Sequence, residues 1–218
     1  MFRPRIIPTL LLKDGSLVKS VKFKNYTYIG DPMNAVNLFN DFKADELVFL
    51  DIDASKDNKL ISLSDIKGDA GTLVMFICNH CPYVKAVIKD IVEDCKNLEK
   101  LGVKAVAISA NDTINYPEDN FENMIEFAKK HGFNFPYLLD GTQNVAKSYE
   151  AVCTPDFFGF NHNLELQYRG RIRELDNLKP VRTGDSDLFI AMKQITETGK
   201  GPEMQIPSVG CSIKWLDN

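Results

Sequence analysis

The chain has no long apolar run and no strong excess of either charge. No stretch approaches the roughly 18 apolar residues that a membrane-spanning helix needs. Lysine and arginine number 26 and acidic residues 30, which gives a formal net charge of −4, so neither nucleic acid nor an anionic membrane is an expected partner. Histidine occurs only three times, and no remote pair of Cys or His residues has zinc-site spacing. We therefore predict no membrane or nucleic-acid partner and no bound metal or other cofactor.

The N-terminal segment "MFRPRIIPTLLLKDG" also lacks the features of a secretory signal. Arg3 and Arg5 precede an apolar stretch, but that stretch is short, is broken by Pro8 and is followed by no small-residue cleavage site. We expect a strand of the mature protein and a cytoplasmic location. In that compartment the five cysteines do not predict structural disulfides, so a close cysteine pair indicates redox or metal chemistry.

Buried-type apolar runs alternate with helix patterns along the chain, which predicts an α/β fold. Hydrophobic residues make up 44% and charged residues 26% of the 218 residues, as is usual for a globular chain with a core. Near the start, the apolar run 5–12 is followed by a hairpin-like or loop segment, a helix that begins at Asp31-Pro32, and a second apolar run in 46–55. This β-α-β order predicts a parallel sheet.

Four segments of the first part carry a family resemblance: "RIIPTLLLKDG", Val18-Lys19, "GDPMNAV" and "ADELVFLDIDAS". With them, residues 1–55 resemble the beginning of the cyclase subunit of imidazole glycerol phosphate synthase, a (β/α)8 barrel. The resemblance covers about the first quarter of a barrel and implies an incomplete barrel-like β-α-β segment. At the position of the family's first catalytic aspartate the chain has Leu11, which cannot transfer a proton, and the later strands are missing. We expect no cyclase activity.

A second set of segments follows in order from about residue 56: "SLSDIKG", "TLVMFICNHCPYVK", "VAISANDTINYPED", "FPYLLDGTQNVAKSYEAVCTPDFFGF", "YRGRI" and "PSVGCSIKW". They are similar to the thioredoxin-like redoxins related to peroxiredoxins, over essentially all of 56–218. The resemblance implies a thioredoxin-like fold, a central mixed sheet flanked by helices, with a first strand borrowed from 46–55. The chain thus resembles a fusion of a barrel fragment with a complete redoxin.

The segment "FICNHCPYV" holds two cysteines separated by two residues, Cys78 and Cys81. Pro82 suits the first position of a helix, which places Cys81 at the N-cap, where helix N–H groups favour a thiolate. The spacing of Cys81 from Phe76 also resembles that of the thioredoxin nucleophile. These observations favour Cys81 as the attacking thiol and Cys78 as its partner. In a competing register, that of disulfide isomerases, His80 favours a Cys78 thiolate; with Cys81 attacking, His80 is expected to modulate the thiol pKa.

Thr154-Pro155 resembles the cis-proline loop that faces the active-site cysteine in thioredoxin-like folds. The resemblance places Cys153 close to the site, either as a third thiol or as a small buried residue. Cys211 matches a family position, but the sequence gives it no partner. Cys95 lies in register with the apolar face of the helix after Pro82 and is expected in the core.

Arg169 and Arg171, in "YRGRI", are either supports for a thiolate or anionic substrate or a solvated pair at a strand edge. The leading hypothesis is a thiol–disulfide oxidoreductase that acts through a mixed disulfide on a protein or small-molecule disulfide. Its reductant would be of the thioredoxin or glutathione type.

Three alternatives stay open. In the first, Cys81 is the peroxidatic thiol of a peroxiredoxin-like peroxidase. In the second, the two thiols and His80 hold copper or zinc. The third is an inactive fusion product, in which the barrel fragment misplaces or destabilises the redoxin. Residues 1–45 would expose strand edges and apolar faces, so we expect them to pack on the redoxin, form a homodimer or stay partly ordered.

Overall fold

The computed structural model describes residues 9–13, 16–21, 24–30, 35, 48–51, 61 and 63–216. The chain divides into two compact units, Met1–Ser62 and Leu63–Asn218. Within the described part of the chain, no helix is long and apolar enough to cross a membrane.

The first unit contains a four-stranded sheet. Its strands are β1 (Thr9–Lys13), β2 (Ser16–Val21), β3 (Lys24–Gly30) and β4 (Val48–Asp51), in the order β3-β2-β1-β4. The β1–β2 and β2–β3 pairs are antiparallel, whereas β1 and β4 are parallel, as the β-α-β pattern predicts. The helix predicted from Asp31-Pro32 lies outside the described residues, apart from Ala35, which is helical.

The strand that we expected the redoxin part to borrow from 46–55 is β4. It pairs with β1, from Thr9 opposite Val48 to Leu12 opposite Asp51. Both strands come from apolar runs, and the parallel pairing joins these two runs within one sheet. The rest of the predicted hairpin, 52–60, lies outside the described residues.

The helices of the second unit are α1 (Leu63–Ile66), α2 (Pro82–Glu99), α3 (Phe121–His131), α4 (Asn144–Ser148) and α5 (Asp187–Thr198), with a 3₁₀ turn at Pro117–Asp119. The strands are β5 (Gly71–Phe76), β6 (Val103–Ser109), β7 (Tyr137–Leu139), β8 (Cys153–Thr154), β9 (Asp156–Asn161), β10 (Leu166–Gly170), β11 (Leu175–Asp176), β12 (Lys179–Pro180) and β13 (Cys211–Ser212).

A five-stranded mixed sheet, in the order β10-β9-β5-β6-β7, forms the centre of this unit. β5, β6 and β7 are parallel, and β9 is antiparallel to both β5 and β10. β5 is buried along its whole length. Leu73 and Met75 belong to the apolar cluster that includes α2 and α5, whereas Val74 and Phe76 belong to the cluster that includes Ala146 of α4, because side chains alternate along a strand. The predicted mixed sheet flanked by helices is therefore confirmed.

Helix α2 begins directly after the cysteine pair, which lies between β5 and α2. Pro82 occupies its first turn, where a missing N–H costs no hydrogen bond. Cys95, on the apolar face of α2, is 2% exposed and belongs to the core cluster, as the sequence predicts. The chain turns back after α2 at Gly102, whose φ of +81° favours glycine.

The segment 117–132 begins with a proline and acidic residues and ends in Lys-Lys-His-Gly, a pattern that predicts one helix, but the structure divides it. Pro117–Asp119 forms a 3₁₀ turn, and α3 begins only at Phe121. Between them Asn120 is extended, and its side chain accepts a hydrogen bond from the N–H of Asn123 at 2.9 Å. Asn120 is therefore the N-cap of α3, and its side chain stabilises a helix that begins at Phe121 rather than at Pro117. The break leaves Asp119 fully buried in front of the helix.

Candidate active site

The cysteine pair and the Thr-Pro pair, which are far apart in sequence, meet at the end of the sheet. Cys78 follows β5 and Cys81 precedes α2, and both are fully buried. The Cys78 sulfur lies 3.4 Å from Oγ1 of Thr154, and the Cys81 thiol donates to the Thr154 carbonyl at 3.1 Å. The peptide bond between Thr154 and Pro155 is cis. The structure thus places both predicted motifs in one site.

The two thiols of the pair have opposite acidities. A hydrogen bond from the Cys78 thiol is the largest of the effects that lower the pKa of Cys81, to about 4, and the backbone N–H of Val84 and the Thr154 hydroxyl add to it. The same bond, followed by burial and by the charge of Asp119, raises the pKa of Cys78 well above its ordinary value. A thiolate is therefore stabilised on Cys81 at the expense of Cys78.

The origin of this effect differs from the one predicted. From the sequence we expect the helix N-terminus to stabilise the Cys81 thiolate, with His80 modulating the thiol pKa. In the structure Cys81 is the N-cap residue of α2, and its sulfur lies 3.1 Å from the Thr154 carbonyl oxygen. The helix contributes through one N–H group, that of Val84, whereas the stronger contribution comes from Cys78.

His80 is held by a carboxylate that the sequence analysis missed. Its Nδ1 lies 2.6 Å from Oδ2 of Asp119, and its ring stacks on Tyr116 with 5.8 Å between ring centroids. Asp119 also accepts the backbone N–H groups of Asn79 and His80, at 2.7 and 3.2 Å, and the side-chain amide of Asn111 at 2.7 Å. In the sequence Asp119 is only an acidic residue two positions after Pro117, and acidic residues are common at the start of a helix because they interact favourably with its dipole.

Cys78, His80 and Asp119 are the described residues that come nearest to a metal site. One ligand atom from each lies within 4.8 Å of the other two. However, each carboxylate oxygen of Asp119 already accepts two hydrogen bonds, and three donors are one short of a closed structural zinc site. The arrangement fits a hydrogen-bonded group better than a metal centre.

Two further thiols lie on the paired strands β8 and β13. Cys153 is buried, and its thiol donates to the Pro155 carbonyl at 3.6 Å; burial and then the charge of Asp156 raise its pKa to about 12. Cys211 lies opposite Thr154 in the β13–β8 register and is partly exposed. Burial, and then a hydrogen bond with Cys81, raises its pKa to about 11. The pairing of β13 with β8 therefore places Cys211 beside Thr154 of the site, a neighbour that the sequence does not reveal.

The two arginines proposed as thiolate supports are engaged elsewhere. Arg169 donates to the Glu150 carbonyl at 2.6 Å and lies over the ring of Phe158. Arg171 is paired with Asp187 at 2.9 Å and with Glu174 at 3.4 Å. These contacts favour the interpretation of both residues as structural cations of the strand edge.

A cavity of about 390 Å³ opens beside the cis-proline. Its lining is mainly apolar with two arginines: Tyr83, Val87, Pro155, Phe157, Arg171, Ile172, Arg173, Leu175, Asn177, Leu178, Ser208 and Val209. Arg173, which the sequence analysis did not single out, is 9% exposed and is paired with Asp90 at 3.1 Å. The cavity therefore leaves space for a substrate beside Pro155, the residue after Thr154.

Comparison with known proteins matches most of the chain to solved structures of proteins without an assigned activity, and about half of it to a different group. An uncharacterised conserved protein from Geobacillus kaustophilus is 44% identical, with a TM-score of 0.70 over 74% of this chain and 86% of that one. A hypothetical protein from Sinorhizobium meliloti is 34% identical, with a TM-score of 0.68 over 73% of this chain and 87% of that one. A thioredoxin-like protein at 15% identity and a TM-score of 0.50 shares the fold.

The curated relatives cover a smaller part of this chain than the two solved structures do. A protein named as an imidazole glycerol phosphate synthase subunit, from Pseudomonas aeruginosa, is 45% identical over 109 residues, which are 50% of this chain and 41% of that protein. The chain thus spans less than half the length of this relative, consistent with an N-terminal fragment of that kind. The model of the AhpC/TSA family matches residues 37–174, more than half of the sequence. This chain belongs to the AhpC/TSA family.

Proposed function

We propose that the second unit catalyses thiol–disulfide exchange, with Cys81 as the attacking thiol and Cys78 as a resolving thiol. The observation that carries the proposal is the position of both sulfurs against Thr154, with the Cys78 sulfur 3.4 Å from its hydroxyl oxygen and the Cys81 sulfur 3.1 Å from its carbonyl oxygen. The interaction between the two thiols is the largest cause that lowers the pKa of Cys81, to about 4, and the largest that raises the pKa of Cys78. Family membership supports the redox class.

In the first step the Cys81 thiolate attacks one sulfur of a substrate disulfide R–S–S–R′. A Cys81–S–S–R bond forms, the S–S bond of the substrate breaks, and R′–S⁻ leaves and takes a proton from solvent. The N–H of Val84 and the Thr154 hydroxyl lie at the sulfur that gains and loses the charge. The cavity beside Pro155 accommodates the R group.

In the second step the Cys78 sulfur attacks Cys81 and expels R–S⁻, so that a Cys78–Cys81 disulfide forms and the substrate has accepted two electrons. Cys78 must lose its proton for this step, and its burial opposes that loss. A carboxylate oxygen of Asp119 and a ring nitrogen of His80 lie within 4.8 Å of the Cys78 sulfur. We assign this pair the role of proton acceptor, with the partly exposed His80 leading the proton to solvent.

A dithiol or a glutathione-type thiol then returns the disulfide to the reduced state. The two protein thiols supply both electrons of the exchange, so the reaction as proposed needs no bound cofactor. The first unit takes no part in it. The chain has Leu11 at the position that corresponds to a catalytic aspartate in the cyclase family. We therefore also expect it to lack cyclase activity.

Single-cysteine variants of the full chain test the attacking residue. Each reduced variant is mixed with one equivalent of dithiobis-nitrobenzoate, a small disulfide that releases coloured thionitrobenzoate. We expect Cys81→Ser to lose the rapid first release and Cys78→Ser to keep it. The reverse result would make Cys78 the attacking thiol. If both variants keep the rapid first release, the redox proposal is wrong. Cys95→Ala, which removes a core thiol far from the reaction, is the matched control.

Two other activities are separated by further measurements. In a peroxidase, Cys81 would reduce R–O–OH to R–OH and become a sulfenic acid, which Cys78 would resolve with release of water; the family to which the chain belongs favours this as the second candidate. Faster consumption of hydrogen peroxide than of disulfides would select it. Copper or zinc retained by the purified protein, and lost in Asp119→Asn, would instead support binding of a metal near Cys78.

A further inference from the structure

A second thiol, Cys211, lies near Cys81. β13 pairs with β8 so that Cys211 lies opposite Thr154, whose carbonyl oxygen is 3.1 Å from the Cys81 sulfur. Cys211 packs against the apolar cluster that contains Cys78 and Cys81, and burial and then its interactions with Cys81 raise its pKa. The Cys81 sulfur therefore has two thiols near it, of which the sequence pair supplies only one.

The three residues differ in their access to solvent. Cys78 and Cys81 are both fully buried, so a reductant reaches a disulfide between them only by the route that brings the substrate to Cys81. Cys211 is partly exposed. A disulfide between Cys81 and Cys211 would carry one sulfur that an external thiolate can reach.

We propose that Cys211 is a second resolving thiol, and that the exposed sulfur of the resulting Cys81–Cys211 disulfide is where an external thiol reductant attacks. This inference rests on the thiol–disulfide exchange proposed above. It adds a third thiol to the pair identified from sequence.

The electrostatics of the site favour Cys211 once Cys81 has reacted. Burial raises the pKa of Cys211 first, and the bond to Cys81 and the charge of Cys81 raise it further. The two contributions of Cys81 end when that sulfur enters a mixed disulfide, whereas nearby Lys214 still lowers the pKa of Cys211. Cys78 also loses its bond to Cys81, the largest cause of its raised pKa, but it keeps its deeper burial and the charge of Asp119. Cys211 therefore ionises more readily than Cys78 at this stage.

The chemical steps balance with the substrate disulfide and the thiol reductant alone. The Cys211 thiolate attacks the Cys81 sulfur of Cys81–S–S–R, a Cys81–Cys211 bond forms, and R–S⁻ leaves and takes up the proton that Cys211 lost. A reductant thiolate then attacks the Cys211 sulfur and expels Cys81, which is the better leaving group because it has the lower pKa. A second reductant thiolate releases Cys211, and the reductant leaves as a disulfide.

The test uses full-length Cys78→Ser and the double variant Cys78→Ser/Cys211→Ser. Each is mixed with one equivalent of dithiobis-nitrobenzoate, and released thionitrobenzoate and intact mass are followed. In Cys78→Ser we expect release of both thionitrobenzoate groups of the reagent and a Cys81–Cys211 disulfide in the peptide map. In the double variant we expect release to stop after the first group, with the second retained on Cys81. A Cys78→Ser protein that retains the adduct as long as the double variant would overturn the inference.

The variant Cys211→Ser separates this inference from the exchange proposal. With Cys211 absent, release of both groups and a Cys78–Cys81 disulfide support the original pair, whatever Cys78→Ser shows. If no variant forms an adduct on Cys81, the exchange proposal fails and the inference fails with it. Cys78→Ser/Cys95→Ala, which removes a core thiol in place of Cys211, is the matched control and is expected to behave like Cys78→Ser.

Discussion

The Nδ1 atom of His80 lies 2.6 Å from Oδ2 of Asp119, although 38 residues separate the two in the chain. His80 is partly exposed and the Asp119 carboxylate is fully buried, so the pair connects solvent with the interior beside Cys78. Two opposing effects on Cys78 follow from this position. The charge of Asp119 raises the pKa of Cys78, while a carboxylate oxygen of Asp119 also lies within 4.8 Å of the Cys78 sulfur, close enough to take its proton.

Asp119→Asn distinguishes the two effects. The substitution is made in the Cys211→Ser background, so that only Cys78 can release the second thionitrobenzoate. If proton acceptance dominates, as we propose, this second release is slower than in Cys211→Ser alone by about tenfold or more, within the usual range for loss of a general base, while the first release is unchanged. Stopped-flow absorbance resolves the two phases. If the charge effect dominates, the second phase becomes faster, and this outcome would contradict the role assigned to Asp119. Glu118→Gln removes a charge from the neighbouring exposed residue and is the control.

The acidity of Cys81 depends on the donor at position 78. The pKa of Cys81 is lowered to about 4, so its thiolate persists at neutral pH and is lost only as the pH falls through that value. Cys78→Ala removes the donor and should raise the pKa of Cys81 by about one unit or more, since one unit corresponds to about 1.4 kcal/mol of differential interaction. Cys78→Ser keeps a donor and should shift it less. The thiolate absorbance of the reduced proteins against pH measures both; equal values in the two variants would show that the Cys78 donor is not responsible.

Thr154 contacts both sulfurs of the pair. Its hydroxyl lies 3.4 Å from the Cys78 sulfur and lowers the pKa of Cys81 as well. Thr154→Val keeps the shape of the side chain but not the hydroxyl, and we expect a higher pKa for Cys81 and a slower first release at pH below the new pKa. Thr154→Ser, which retains the hydroxyl, should resemble the native chain. A native rate in Thr154→Val at pH about 5 would contradict this role.

Local sequence patterns predict part of this site and tertiary pairing supplies the rest. Cys78, Cys81 and the Thr154-Pro155 pair are recognisable because each lies in a short segment with its own spacing and flanking residues. Asp119 and Cys211 are not. Asp119 reaches the site because Asn120, rather than Tyr116, caps α3, and Cys211 reaches it through strand register with Thr154. Neither relationship leaves a signal in the neighbouring sequence.

In the fold, too, local sequence patterns predict some features and leave others open. The alternation of Leu73, Val74, Met75 and Phe76 between two apolar clusters follows from the period of a strand, so the central sheet could be predicted. The β-α-β order likewise predicts a parallel pair of the two apolar runs, but it does not decide between this pairing and a first strand for the redoxin part, because the same run suits either. Pairing is decided by which neighbouring strand is available, and β4 pairs with β1.

The start of α5 provides a prediction for stability. The Ser186 side chain accepts the N–H of Phe189 at 2.8 Å and donates to the buried Asp94 at 2.5 Å. Ser186→Ala should lower the free energy of unfolding by about 1–3 kcal/mol, because it removes an N-cap and leaves a buried carboxyl without that donor. Urea denaturation measures the loss. Asn120→Ala, which removes a more exposed cap in α3, should cost less, about 1 kcal/mol.

The same contact sets the pH dependence of stability. Burial raises the pKa of Asp94 from 3.8 to about 6, and the Ser186 hydroxyl opposes the rise. Between these values the folded chain holds a proton that the unfolded chain has lost, so the Asp94 contribution to stability decreases as the pH rises through this window. Ser186→Ala raises the pKa of Asp94 further, and its destabilisation should therefore be larger at pH 7 than at pH 4. An equal loss at both pH values would show that the Ser186 hydroxyl acts only as a helix cap.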